Sequence, residues 1–171
     1  MDVTADLQRL LDRAAVVETI VGIANALDLK EWPRVRSCLA DELDIDYSEF
    51  RGEAPARISA DAYVASREAG LRGVRSLHMS TNHEITIAGD GATCRSAYRI
   101  FRVAESDASR RLDTGGHYEH RLVRVGGRWL VTSITQTVVV LDGERSVHGA
   151  FRDENRDLSG ATRPCDEQDE D

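Results

Sequence analysis

Lysine is almost absent from this sequence, since Lys30 is the single lysine among 22 basic residues. A Schiff-base or pyridoxal phosphate mechanism would have to use Lys30, which lies in a polar turn, so we expect neither mechanism. Cysteine is also scarce. The three cysteines (Cys38, Cys94 and Cys165) are odd in number and far apart. This spacing matches neither a disulfide framework nor a zinc site, and it favours a reducing, cytoplasmic location.

Long apolar runs are missing as well. The sequence begins MDVTADLQRLLDR, which is charged from the second residue, so we expect no signal peptide and no membrane-spanning helix. The net charge is −8, of which −5 falls in residues 152–171. Neither part offers a basic surface for nucleic acid or an anionic membrane. The charge distribution predicts a folded domain over residues 1–151 and an acidic, disordered tail over residues 152–171.

The motifs of several enzyme classes do not occur in this sequence. There is no H-E-x-x-H or paired C-x-x-C metal motif, no G-x-G-x-x-G or phosphate-binding loop, and no G-x-S-x-G nucleophile. The sequence therefore indicates neither a metal nor a nucleotide cofactor. Proton transfer by histidine with carboxylate support, acting on a small molecule without a cofactor, is the simplest chemistry that remains.

Helices dominate the first half of the sequence and strands the second half. The patterns predict helices over about 5–27, 33–39 and 59–71, with Ser59 as an N-cap, and a short strand over 43–47. After residue 73 they predict strands over about 74–88, 92–103, 116–125 and 128–141. Glycine-rich hairpin turns fall at 89–91 and 126–127, and a polar loop at 105–115. This order predicts an α+β fold with an antiparallel meander.

Asp28 is the first candidate for chemistry. It continues an apolar stripe at helical spacing, formed by Leu10, Ala14, Val17, Val21 and Ala24. It also lies near a helix C-terminus, where a negative charge is disfavoured, so it calls for a partner. Two interpretations stay open: a functional carboxylate, or a capping box with Glu31 that opens the second helix.

His78 lies in a strand whose alternation places it on one face with Ser80 and Asn82. Such a face suits either a wet pocket or a solvated surface. A histidine titrates near neutral pH, and a neighbouring carboxylate would fix its tautomer, so His78 is a candidate general base.

The later strands offer further candidates. His117 and His120 lie on opposite faces of one strand, and alternation does not decide which face is inward. In the last strand, Thr135 and Thr137 alternate with Ile134 and Gln136. Tyr47, at the end of the short strand, is a candidate proton or hydrogen-bond donor.

Several landmarks together resemble the SnoaL-like branch of the nuclear transport factor 2-like superfamily, over about residues 5–142. The sequence is most similar to the group containing scytalone dehydratase and hexachlorocyclohexane dehydrochlorinase. The landmarks are Arg13-Ala14-Ala15-Val16, Asp28, Tyr47, His78-Met79-Ser80-Thr81-Asn82, Gly116-His117-Tyr118 and Gly127-Arg128-Trp129-Leu130-Val131. The resemblance implies a cone-shaped α+β barrel, in which a curved sheet wraps a long N-terminal helix, with a pocket between them.

The resemblance also implies roles for residues. Asp28 would orient His78, which would remove a proton from carbon in a cofactor-free lyase reaction of dehydratase, dehydrohalogenase or carbon–carbon lyase type. Tyr47 and His117 would complete the catalytic set. The substrate would be a small, mostly apolar molecule, aromatic molecules included. The candidates for binding it are Trp32, Asn82, Tyr98, Thr135 and Thr137.

The sequence departs from those relatives at two places. Leu27 stands where the dehydratase has a tyrosine, and Ile23 where the dehydrochlorinase has a lysine. A non-catalytic ligand-binding or assembly domain therefore stays an alternative, as does an isomerase or epoxide hydrolase that uses the same pocket. The resemblance further implies a homo-oligomer, dimer or trimer, for which the apolar run Val138-Val139-Val140-Leu141 is a candidate interface.

Overall fold

The computed structural model describes residues 3–151. Its helices are α1 (Val3–Asp28), α2 (Trp32–Ser37), α3 (Ser48–Arg51) and α4 (Ala60–Gly70). Its strands are β1 (Leu39–Asp46), β2 (Ala56–Ser59), β3 (Val74–Ala88), β4 (Gly91–Ala104), β5 (Asp107–Val125) and β6 (Arg128–Gly143), and two short 3₁₀ turns follow at Arg145–Val147 and Gly149–Phe151. The predicted tail, 152–171, lies outside the described residues. The division into domain and tail therefore stays a prediction.

The six strands form one curved sheet in the order β2-β1-β6-β5-β4-β3. Strands β3 to β6 are an antiparallel meander, and β1 runs parallel to β6. Helix α1 packs against the inner face of the sheet at β3 and β6. The predicted α+β fold, with a long N-terminal helix inside a curved sheet, is confirmed.

Helix α1 buries a different stripe from the one predicted. Its buried side chains are Asp12, Val16, Ile20, Ile23, Ala26 and Leu27. Leu10, in contrast, is 64% exposed. The prediction failed because apolar residues surround this helix on more than one side, so spacing alone does not select the face that packs on the sheet. Asp28 follows the last buried residue directly and so still ends at the inner face.

The turns follow the glycine signals. Gly126 and Gly127 both have positive φ, at 56° and 78°, which matches the right-handed twist of the β5–β6 hairpin. The Ser59 hydroxyl accepts a hydrogen bond from the N–H of Ala62 and caps α4, as predicted. The predicted loop at 105–115 is wrong, because β5 already begins at Asp107 and pairs with β4. Polar side chains on this hairpin conceal a strand that pairs with β4 at Asp107 and again from Arg111 onward, with a bulge in between.

Bulges determine which side chains the sheet turns inward. In β3 the pairing with β4 shifts between Thr81 and Glu84, and Asn82 takes a positive φ of 54°. In β6 the pairing with β5 skips Thr132 and Val139. Each bulge inserts one residue, so the alternation of inward and outward side chains reverses beyond it.

Two further features of the fold bear on earlier expectations. In the run 138–141, Val139 is 67% exposed, and the homo-oligomer stays a prediction. None of the helices within residues 3–151 is long and apolar enough to cross a membrane.

After β6 the chain folds back, so that His148 packs edge-on against Phe50 with 5.4 Å between the ring centroids.

Candidate active site

Asp28 and His78 meet at the C-terminal end of α1. Oδ1 of Asp28 lies 2.5 Å from Nδ1 of His78, and Oδ2 accepts a 2.7 Å hydrogen bond from the backbone N–H of the same histidine. Ser76, two residues earlier on the inner face of β3, donates a third bond of 2.8 Å to Oδ1. Three donors on β3 therefore fix the orientation of this carboxylate.

This geometry decides between the two interpretations of Asp28. A capping box would require the Asp28 side chain to bond to the start of α2. Glu31 is the N-cap of that helix and makes no side-chain capping bond. The carboxylate instead accepts hydrogen bonds from Ser76 and His78, so Asp28 is not a helix cap.

The charges of the pair follow from its surroundings. Burial lowers the pKa of His78, and the hydrogen bond and negative charge of Asp28 offset this effect only in part. Burial raises the pKa of Asp28, but the contacts from His78 and Ser76 outweigh it and bring the pKa below its usual value. At neutral pH the pair is therefore a carboxylate beside an uncharged imidazole.

The tautomer of His78 follows from that charge state. A carboxylate only accepts hydrogen bonds, so Nδ1 carries the proton and Nε2 has the free lone pair. Among the described residues Nε2 has no hydrogen-bond partner. The His78 side chain is 12% exposed and lines a pocket. This arrangement can accept a proton from a molecule bound there.

The pocket lies between α1 and the inner face of the sheet. Its volume is about 70 Å³, measured as the space open to the centre of a water molecule. Helix α1 supplies an apolar wall through Ile20, Ile23, Ala24 and Leu27. The sheet, α4 and Tyr47 after β1 supply the polar wall, and no carboxylate stands among the described residues that line the pocket. This composition suits a small, mostly apolar molecule that presents a few polar groups to the sheet.

Tyrosines form much of the polar wall. The hydroxyls of Tyr47 and Tyr63 are 3.1 Å apart and hydrogen-bonded. Tyr98 and Tyr118 stack with 4.5 Å between their centroids, and the Tyr118 hydroxyl accepts a 2.9 Å bond from Nε2 of Gln136. Burial raises the pKa of Tyr47, and it raises the pKa of Tyr98 to about 12. These phenols are neutral at pH 7 and can serve as hydrogen-bond donors.

The structure places five of the predicted residues outside the pocket. They are His117, Asn82, Thr135, Thr137 and Trp32. His117 and Asn82 lie together on the outer face of the sheet, Thr135 is on that face beside Asp44, and Thr137 is exposed. Trp32 packs partly buried against the core at the start of α2. The predicted placement of these residues in the pocket is therefore wrong.

The β-bulges explain most of these errors. Residue Asn82 is part of the bulge in β3, so it leaves the face that carries His78. The bulge at Thr132 reverses the alternation in β6, so Ile134 and Gln136 face inward in place of Thr135 and Thr137. On β5 the alternation is intact at this position, and it is His120 that faces inward.

Several pocket residues escaped sequence reasoning. They include Arg67, Arg102, Gln136 and His148, whereas His120 was one of the two histidines whose inward face the alternation left open. Burial lowers the pKa of His120 to about 4, so it is uncharged at neutral pH. A usable signal existed only for Arg102, because the unbroken alternation of β4 places it inward with Tyr98 and Ile100.

Comparisons with known proteins agree with this architecture. The profile of the SnoaL-like domain matches residues 8–135. A search of curated protein sequences found no match. Among solved structures, protein Kfla4162 from Kribbella flavida superposes with a TM-score of 0.76 and 26% identity, over 83% of this chain and 98% of that one.

Two further solved structures carry the names of enzymes. A protein from Novosphingobium aromaticivorans, provisionally named a scytalone dehydratase, gives a TM-score of 0.70 at 16% identity, over 80% of this chain and 90% of that one. A type 2 hexachlorocyclohexane dehydrochlorinase (LinA) gives 0.69 at 15% identity, over 84% of this chain and 95% of that one. At these identities the likeness shows a shared fold.

Proposed function

Because this chain belongs to the SnoaL-like domain family, we propose that it is a cofactor-independent lyase acting on a small, mostly apolar molecule. The observation that carries the proposal is the state of His78. Its Nδ1 is held by Asp28, its Nε2 is unpartnered within the described residues, and its pKa is lowered by burial. An uncharged imidazole with one free lone pair is a base ready to accept a proton at neutral pH.

The proposed reaction is an elimination. Nε2 of His78 takes a proton from the carbon next to the one that carries the leaving group. The electron pair of that C–H bond forms a carbon–carbon double bond, and the leaving group departs with its own bonding pair. When the leaving group is a hydroxyl, the proton held by His78 passes to it, water is released and the histidine returns to its uncharged state.

Asp28 acts on the base and not on the substrate. It lies behind His78, outside the pocket lining, and its negative charge stabilises the imidazolium that forms as the proton is taken. The neutral tyrosines of the polar wall, Tyr47 and Tyr98 among them, are placed to donate hydrogen bonds to a carbonyl or leaving-group oxygen. Two solved structures of the same fold bear the names of a dehydratase and a dehydrochlorinase, and this supports the reaction type.

The test is a panel of β-hydroxy and β-chloro ketones small enough for the pocket, including 4-hydroxy-4-phenylbutan-2-one, whose dehydration product is a conjugated enone with strong ultraviolet absorbance. Wild-type protein should form the alkene. We expect His78→Gln to lower kcat by about 10²- to 10⁴-fold, the usual contribution of a general base. His117→Gln is the matched control, since this histidine is exposed on the outer face, and it should leave kcat unchanged.

Two results would overturn the proposal. Equal turnover by wild type and His78→Gln would remove His78 from the chemistry. Binding of panel members without any turnover would favour the alternative of a non-catalytic ligand-binding domain.

A further inference from the structure

Arg102 is a buried cation on the inner wall of the pocket. Its side chain enters from β4, and the residue is only 3% exposed. Nη1 donates a 3.0 Å hydrogen bond to the hydroxyl of Thr114, and the guanidinium lies 5.4 Å from the centroid of the Phe50 ring. Nη1 is the only nitrogen of this guanidinium with a hydrogen-bond partner among the described residues, and Nε is buried without one.

The charge of Arg102 is also uncompensated at short range. Among residues 3–151 it forms no ion pair; Asp28 and Asp113 act on it only from a longer distance. A buried charge normally persists only where it is paired and hydrogen-bonded. A neutral hydroxyl and an aromatic ring do not supply that pairing. The pocket therefore carries a positive charge that none of the described side chains lining it neutralises.

Arg102 and the base lie on the same face of adjacent strands. In the β3–β4 ladder Arg102 is opposite Ser76, and His78 is opposite Ile100, so Arg102 and His78 are diagonal neighbours. Side chains related in this way have Cβ atoms about 7 Å apart. One small molecule can therefore contact Nε2 of His78 and the guanidinium of Arg102 together.

We propose that Arg102 is the oxyanion-binding residue of the pocket, and that the substrate presents an oxyanion on a trigonal carbon to it. This deepens the proposed function, because it rests on the same pocket and names the substrate class. The oxyanion has two sources: a carboxylate that the substrate already carries, or the enolate that forms when His78 removes a proton beside a carbonyl. In the second case the C–H electron pair moves onto the carbonyl oxygen, where Arg102 stabilises it.

The test measures binding and needs no turnover, so its result is independent of the lyase proposal. Benzoate probes the carboxylate source and 4-nitrophenol, which binds as the coloured phenolate, probes the enolate source; benzamide and nitrobenzene are the uncharged counterparts. Each is titrated into the full chain by calorimetry and by NMR of the Arg102 Nε–H signal. We expect at least one anion to bind, to shift that signal, and to bind more tightly than its uncharged counterpart.

The variants assign the effect to the residue. Arg102→Gln should weaken binding of that anion by about 10- to 100-fold, the range for hydrogen bonds to a charged group. Arg99→Gln, an arginine three residues earlier on the other face of β4, is the matched control and should bind as wild type does. Circular dichroism shows whether each variant folds. If Arg102→Gln does not fold, the Nε–H shift in wild type still tests the proposal.

The outcomes distinguish a carboxylate substrate from an enolate, and they test the oxyanion site separately from the lyase proposal. Binding of benzoate identifies a carboxylate substrate, and binding of 4-nitrophenolate alone identifies the enolate. If neither anion shifts the Arg102 signal, or if Arg102→Gln folds and binds both as wild type does, the oxyanion site is refuted. The lyase proposal is untouched by that result, because it depends on the loss of turnover in His78→Gln.

Discussion

Asp28 holds His78 at two points, through the ring Nδ1 at 2.5 Å and through the backbone N–H at 2.7 Å. The two contacts use different oxygens of one carboxylate, so they fix both the plane of the carboxylate and the direction of the imidazole. The end of the long helix is thereby tied to the inner face of β3. A catalytic base with a defined tautomer requires this kind of orientation.

The first prediction concerns that tautomer. At pH 7 the nitrogen chemical shifts of the wild-type histidine should show a protonated Nδ1 and an unprotonated Nε2. In Asp28→Asn the amide can either accept from Nδ1 or donate to it, so the two tautomers should mix. Asp12→Asn is the control, because Asp12 is also on α1 but pairs with Arg124, and it should leave the His78 signals unchanged. A wild-type histidine protonated on Nε2 would contradict the assigned orientation.

The second prediction concerns the pKa of His78. In the folded chain burial outweighs the attraction of Asp28, so the pKa of His78 is lowered from 6.5. An NMR titration should give a value below 6.5 in wild type and a still lower one in Asp28→Asn, which keeps the burial and loses the attraction. Activity that depends on the uncharged histidine should rise as pH increases through this value. A wild-type pKa above 6.5 would show that Asp28 outweighs burial.

The third prediction concerns His120 and the stability of the fold in acid. Its pKa is lowered from 6.5 to about 4 by burial, so between these values the unfolded chain binds more protons than the folded chain. The free energy of unfolding should therefore fall as pH decreases through this window. The contribution of His120 to stability should be fully present above pH 6.5. His120 alone should contribute about 2 kcal/mol of the difference between pH 7 and pH 5.

Urea denaturation at the two pH values checks this contribution. His120→Gln should show a smaller difference between pH 7 and pH 5 than wild type, whatever its absolute stability. His78 and His83 also have lowered pKa values, so part of the difference should remain. An unchanged difference in His120→Gln would mean that this ring is hydrated in the fold.

The fold was predictable because its signals are local. Glycine pairs marked the β3–β4 and β5–β6 hairpins, Ser59 marked the start of α4, and the change from helical to strand composition near residue 73 gave the α+β order. The catalytic candidates Asp28 and His78 were also visible, because a charged residue at the inner end of a helix and a polar residue on an inward strand face both stand out against their neighbours.

The rest of the site depends on bulges that leave little trace in a sequence. Asn82 tolerates a positive φ better than most residues, and this was a faint signal for the bulge in β3. Thr132 and Val139 in β6 carry no such mark, so the inward position of Gln136 was hidden. Arg102 was missed for a different reason: a charged side chain suggests a solvated face, although the alternation of β4 places it inward.

The last prediction concerns the close approach of β5 and β6 beside the bulge at Val139. A Cβ placed on Gly116 would lie 2.0 Å from the carbonyl oxygen of Thr137, which is backbone and cannot turn away. We expect Gly116→Ala to lower the free energy of unfolding by more than about 3 kcal/mol, because the two strands would have to separate. Gly115→Ala is the matched control, since its nearest neighbour would be a flexible Arg99 carbon at 3.4 Å, and it should change stability by less than about 1 kcal/mol. Denaturation midpoints of the two variants decide the matter: equal midpoints would mean that β6 can move away from β5 at no cost, and that the bulge at Val139 is not held in place by this contact.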